Sequence, residues 1–124
     1  MKEGNITYEK AYAFAVKIIQ VYKLLKEDKK EFDLARQILR SGTSIGANIA
    51  EANGAVSTAE FSMKIGIAYK ECLETRYWLS LLKDTEFIDL EHFNMLNRDA
   101  EEISKILFAM LRKTRMEHQN TKAK

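Results

Sequence analysis

The sequence predicts a single all-α domain, an antiparallel up-and-down four-helix bundle, and three observations carry that expectation. The 124 residues include no proline and only five glycines. Sheet-rich folds need Gly and Pro at frequent turns, so a chain poor in both has few turns and long helices. Apolar residues recur in alternating steps of three and four within four separate segments, as on a helix with one buried face. The links between these segments are short, which forces consecutive helices to pack antiparallel.

The first segment carries Ala11, Ala15, Ile18, Tyr22 and Leu25 after an N-terminal extension over residues 1–6. Residues 26–31 form a charged run with no apolar member and are expected to be the first loop. The second segment carries Leu34, Ile38, Ser41, Ile45, Asn48 and Ala52, and Asn53-Gly54 offers it a left-handed cap. Its middle, Ser41-Gly42-Thr43-Ser44-Ile45-Gly46, is poor helix-forming sequence, and propensity alone would break it into a DNA-binding helix-turn-helix. The three-four phase nevertheless runs unbroken from Leu34 to Ala52, whereas a true turn would reset it. A continuous helix is therefore expected, with Gly42 and Gly46 admitting a close neighbour.

The third segment opens on Ser57-Thr58-Ala59-Glu60, a capping box in which Ser57 and Glu60 satisfy free backbone amides. Its buried face is Phe61, Ile65, Ala68, Cys72, Thr75, Leu79 and Leu82. Asp89 is the expected N-cap of the fourth, whose face is Phe93, Leu96, Ala100, Ile103, Leu107 and Met110. Each face supports a helix of about 20 residues, roughly 30 Å long. The bundle is assigned to residues 7–117 and a flexible basic tail to 118–124.

Chemistry is constrained mainly by what is missing. Net charge is only +2, too balanced to announce nucleic-acid binding by itself. No apolar run reaches membrane-spanning length, and no N-terminal signal pattern is present. The lone Cys72 excludes an internal disulfide and suits a reducing cytoplasm, the expected location. A bundle di-iron site needs Glu three residues before His, and neither His92 nor His118 has one. With no nucleophile–base constellation and no phosphate-binding loop, the expectation is a protein without catalytic residues, metal or cofactor. An enzymatic alternative would need a ligand in the cleft near Asn48, Glu51 and Glu74.

Polar residues beside the buried faces are more informative. Asn48 lies on the second face with Ser44 and Glu51 flanking it, and Glu71 and Glu74 flank the third. Buried polar groups need partners, so these five are expected to form a structural network, Asn48 or Glu51 bonding across to Glu74 or its neighbours.

The stretch from Leu34 to Leu82 resembles the bacterial four-helix-bundle family of proteins encoded in 23S rRNA intervening sequences. Gln37-Ile38-Leu39-Arg40-Ser41, Ser44-Ile45-Gly46-Ala47-Asn48-Ile49-Ala50-Glu51, Glu60-Phe61, Ile67-Ala68 and the run from Lys70 to Leu79 carry the likeness. Two departures are Ala52 where a glycine usually follows the glutamate, and Lys70-Glu71 where Gly-Ser is frequent. The resemblance implies a bundle that assembles as a ring, typically a homopentamer. It also brings in a related protein, the accessory variability determinant of diversity-generating retroelements, which binds nucleic acid.

Two residue patterns bear on those implications. The third segment has a second apolar stripe, Met63, Ile67, Tyr77, Trp78 and Leu81, which is the candidate oligomer interface. Arg98, Lys105 and Arg112 recur every seven residues on the fourth, and Arg36 and Arg40 lie one turn apart on the second. These five are the candidate nucleic-acid contacts. The expectation is a non-enzymatic, homo-oligomeric scaffold, a pentameric ring by resemblance, whose partner is structured RNA or an RNA-associated protein. The alternative is a protein-only adaptor that receives a partner helix on its aromatic surface.

Overall fold

The computed structural model describes residues 2–123, with side chains described over 5–116. Four helices follow in order: α1 Lys2–Lys23, α2 Asp33–Asn53, α3 Thr58–Asp84 and α4 Leu90–Ala123. No strand occurs among the described residues. Helices α1 and α3 each pack on α2 and α4 but not on each other, so they occupy one diagonal of the bundle and α2 and α4 the other. The α1–α4 edge is the most open. It is bridged by Lys10–Glu102 at 2.6 Å and Lys17–Asp99 at 2.7 Å.

The core forms where the three-four faces converge. Ile18, Leu25, Ile38, Ile45, Ile65, Leu79, Leu96 and Leu107 are all essentially inaccessible to solvent. Phe14, Val21 and Ile49 join them, which widens the first two faces beyond the sequence expectation. Ala15, Tyr22, Leu34, Asn48 and Phe61 are half-buried at the margins. The expected basic tail, 118–124, lies outside the residues whose side chains are described.

Helix α2 is continuous through its weak middle. A Cβ built on Gly42 would stand 2.7 Å from Ile18 Cγ2, whereas one on Gly46 would meet Ala11 Cβ at an ordinary 3.6 Å. Only Gly42 is therefore demanded by the close approach of α1. The hydroxyls of Thr43 and Ser44 donate back to the carbonyls of Leu39 and Arg40, at 2.7 and 2.6 Å, so no polar group is stranded there.

The links differ from expectation in three places. The first helix does not stop at Lys26: a π-helical turn, Leu24–Asp28, carries it on, with Lys29 N–H donating to Leu24 O. That wider turn keeps Leu25 buried, and the charged residues after it stay exposed. Gly54 does end α2, but at φ −97° rather than in the left-handed region. Its N–H bonds the carbonyls of Ala52 and Glu51 without needing glycine's freedom. The left-handed positions are Lys30 at φ 55° and Glu86 at φ 66°. Glu86 closes a Schellman motif on α3: its N–H reaches Lys83 O, and Phe87 N–H reaches Leu82 O at 2.9 Å.

Both N-terminal caps are made. Ser57 Oγ accepts from Glu60 N–H at 3.1 Å, and the Glu60 carboxylate accepts in turn from Val56 N–H at 3.3 Å, one residue before the partner a capping box predicts. Asp89 Oδ1 accepts from His92 N–H at 2.8 Å.

Candidate functional site

The α2–α3 seam is polar at its centre. Thr75 Oγ1 lies 2.9 Å from Ser41 Oγ and 2.7 Å from the Glu71 carbonyl oxygen, in a fully buried position. Two hydroxyls with one proton each can make both contacts, so the pair is satisfied. Outside it, the Arg40 guanidinium reaches from α2 to Glu71 at 3.3 Å and to Glu74. Trp78 Nε1 donates to the same Glu74 oxygen at 3.1 Å.

This corrects the expected network. Asn48 Nδ2 donates to Ser44 O on its own helix at 2.8 Å, and Ser44 donates to Arg40 O. Glu51 lies 3.7 Å from Lys64. Neither Asn48 nor Glu51 reaches Glu74; the seam is crossed by Glu51 to Lys64, by Arg40 to Glu71 and Glu74, and by Ser41 with Thr75. The signal was the one-turn spacing of Glu71 and Glu74, which matches the fork of a guanidinium.

Cys72 is buried with Sγ 3.2 Å from Ala100 O, and burial pushes its thiol up to about 11 against a smaller lowering by Arg76. His92 is exposed and its Nδ1 lies 2.7 Å from Asp89 Oδ1. Hydrogen bonds from the His92 backbone and ring hold the Asp89 carboxyl below its ordinary value. The His118 side chain lies outside the described residues. Among the described residues, no group of three or more His, Cys, Asp or Glu is placed to hold a metal ion, and no helix is long and apolar enough to cross a membrane.

Two apolar faces remain unpartnered. On α3, Met63, Ile67, Leu73 and Tyr77 are exposed, Tyr77 by 58%. Trp78 and Leu81 are half-buried, and Trp78 packs against the core with Tyr77 edge-on at 5.1 Å. The surface portion of the predicted stripe is thus Met63, Ile67 and Tyr77, with Leu73 added. On α1, Tyr8, Tyr12, Val16 and Ile19 form a second exposed ridge, Tyr12 by 61%. Sequence reasoning missed it, although 8, 12, 16 and 19 repeat the three-four spacing beside the core series.

Next to the α3 face, α3 and α4 enclose an open hollow of about 590 Å³. Gly66 and Leu111 form its floor, Met63 and Ile67 one wall, and Lys70 and Arg115 contribute cations. A Cβ on Gly66 would meet nothing closer than Leu111 Cδ2 at 3.9 Å, so packing within the chain does not require this mid-helix glycine. Glycine there costs about 1 kcal/mol of helix propensity and leaves the hollow open.

The five predicted nucleic-acid contacts divide. Arg36 pairs with Asp33 at 2.5 Å, and Arg40 is committed to Glu71 and Glu74. On α4, Arg98 and Arg112 are exposed and make no ion pair among the described residues, while Lys105 meets Glu101 at 3.0 Å. Of the five, only Arg98 and Arg112, both on α4, make no ion pair among the described residues.

Comparison with known proteins follows the same outline. A family model described as 23S rRNA-intervening sequence protein matches residues 3–109. A crystal structure of a protein with unknown function from the S23 ribosomal protein family of Bacteroides thetaiotaomicron VPI-5482 superposes with a TM-score of 0.87 at 48% identity. The match covers 89% of this chain and 98% of that one. No curated protein matches.

Proposed function

Because the chain belongs to the 23S rRNA-intervening sequence protein family, we propose that it is a non-enzymatic ring-forming scaffold for structured RNA or an RNA-associated protein. The observation that carries this reading is the pair of exposed apolar faces on α1 and α3, which lie on one diagonal and do not touch. Two different faces on opposite sides of a subunit join head to tail, and such contacts close into a ring when the rotation permits. Five members is the number the family resemblance implies.

The two faces are complementary in form and charge. The α1 face is a ridge topped by Tyr8 and Tyr12, with exposed Glu9 beside it. The α3 face offers the Gly66 hollow, with Lys70 and Arg115 beside it. In the ring, the neighbour's ridge occupies the hollow and Glu9 faces the cations. Helix α2 and the outer side of α4 are then left free, and Arg98 and Arg112, which make no ion pair among the described residues, repeat at every subunit. Each weak contact to RNA phosphates adds to the others by avidity.

Light scattering on the purified protein tests the assembly, with Tyr12→Asp and Met63→Asp as single-face variants. Each variant alone falls to a monomer, and an equimolar mixture recovers a heterodimer through its one intact contact. A wild-type protein that stays monomeric at micromolar concentration overturns the ring. So does a Met63→Asp variant that keeps the wild-type mass, because the contact would then lie elsewhere. RNA as partner is tested separately by a salt titration of binding, which must fall steeply between about 50 and 200 mM salt.

A further inference from the structure

Cations of α4 flank an exposed aromatic ring. Phe108 is 45% exposed on the outer side of the helix. The Tyr69 ring of α3 supports it from one side, with centroids 5.8 Å apart and planes tilted by 40°. Lys105 lies one turn before Phe108 and Arg112 one turn after it, with Arg115 a further turn on. Between 103 and 116 the chain carries Lys105, Arg112, Lys113 and Arg115 and no carboxylate. All four are exposed, and Arg112, Lys113 and Arg115 make no ion pair among the described residues. The cations of α2, by contrast, are neutralised by Asp33, Glu71 and Glu74.

Cations alone would serve any polyanion, duplex or single-stranded. An exposed ring among them adds a flat apolar face, and that face can be used only by a base already out of its own stack. An anionic membrane would instead need a broad apolar face, and the outer side of α4 around Phe108 is Glu101, Lys105 and Arg112. We infer that Phe108, braced by Tyr69, is a stacking platform for an unpaired base, with the flanking phosphates held by Lys105 and Arg112. The ligand class is single-stranded nucleic acid. This inference rests on the proposed RNA partnership and specifies its target as loops, bulges and ends rather than helical stems.

Binding of the full-length protein to a labelled uridine oligomer, its deoxythymidine counterpart and a short RNA duplex tests it. Both single strands bind more tightly than the duplex. Phe108→Ala weakens single-strand binding about tenfold, Phe108→Tyr restores it, and neither alters duplex binding. Arg112→Gln weakens all three ligands and lowers the slope of log affinity against log salt by about one. Light scattering of Phe108→Ala gives the wild-type mass, since an exposed platform is not an interface residue. A silent Phe108→Ala with RNA still bound, a duplex bound as tightly as a single strand, or a changed mass overturns the platform alone. No binding of either RNA at about 50 mM salt overturns the RNA partnership and the platform with it.

Discussion

Gly42 of α2 faces Ile18 of α1 so closely that a Cβ on the glycine would stand 2.7 Å from Ile18 Cγ2 and 2.9 Å from Cγ1. Two helices meet there with one side chain between them instead of two. Gly42→Ala gains about 1 kcal/mol of helix propensity but forces the branched Ile18 side chain to move in a filled core. We expect a net loss of about 1–2 kcal/mol in urea unfolding. Gly46→Ala, with 3.6 Å to Ala11 Cβ, keeps the propensity gain and is neutral or stabilising. Equal effects at the two positions would refute this account of the α1–α2 contact.

Glu86 supplies the left-handed residue of the α3 Schellman motif at φ 66°, where a side chain is strained and glycine is not. Glu86→Gly removes the strain but loosens the unfolded chain, so the gain is modest, up to about 1 kcal/mol. Glu86→Ala keeps the strained conformation and lacks that gain. Thermal melts of the two variants separate a backbone effect from a charge effect.

Much of this architecture is legible in the sequence because a buried helical face writes its period directly. Ser41, Ile45 and Ala52 stay in phase through a segment whose propensity argues against a helix, and burial decides the outcome. The caps of α3 and α4 are legible too, since Ser57 and Asp89 act within one turn of themselves. What is not legible depends on which helices become neighbours. Arg40 looked like a free cation because nothing in α2 shows that Glu71 and Glu74 stand across the seam. The α1 ridge shares the three-four spacing of the core series beside it, so periodicity alone does not say which face packs inward and which, with Tyr8 and Tyr12, points outward. Gly54 misled for a local reason: its carbonyl partners are reached at negative φ, whereas Glu86 adopts the conformation glycine favours.

The buried Cys72 thiol gives stability a defined alkaline limit. Its pKa is raised from 9.0 to about 11, because burial disfavours the thiolate. A group whose folded pKa is raised contributes fully below the unfolded value and loses that contribution as pH rises through the folded one. Wild-type stability should therefore fall between about pH 9 and 11 with an extra slope of one proton, absent in Cys72→Ala. Below pH 9, Cys72→Ala is simply less stable than wild type by the cavity it leaves, and an aqueous thiol reagent reacts slowly with the native protein. Identical pH dependence in the two proteins would mean that the thiol ionises alike in the folded and unfolded chain, and so is reached by solvent.

Arg40 is predicted to lock register and to contribute nothing to RNA binding. Its guanidinium holds Glu71 and Glu74 across the α2–α3 seam while its own side chain is 52% exposed, so each pair is screened by water. A double-mutant cycle between Arg40→Ala and Glu74→Ala should give a coupling of about 0.5–1 kcal/mol, near the upper end for exposed pairs because two carboxylates share one fork. Glu74 also accepts from Trp78 Nε1. Removing Glu74 should therefore change the tryptophan fluorescence, while removing Arg40 should change it much less. In the same preparations, Arg40→Ala keeps wild-type affinity for the uridine oligomer and Arg112→Gln does not. Loss of RNA binding in Arg40→Ala would return α2 to the nucleic-acid surface and show that its carboxylate partners release the guanidinium in the complex.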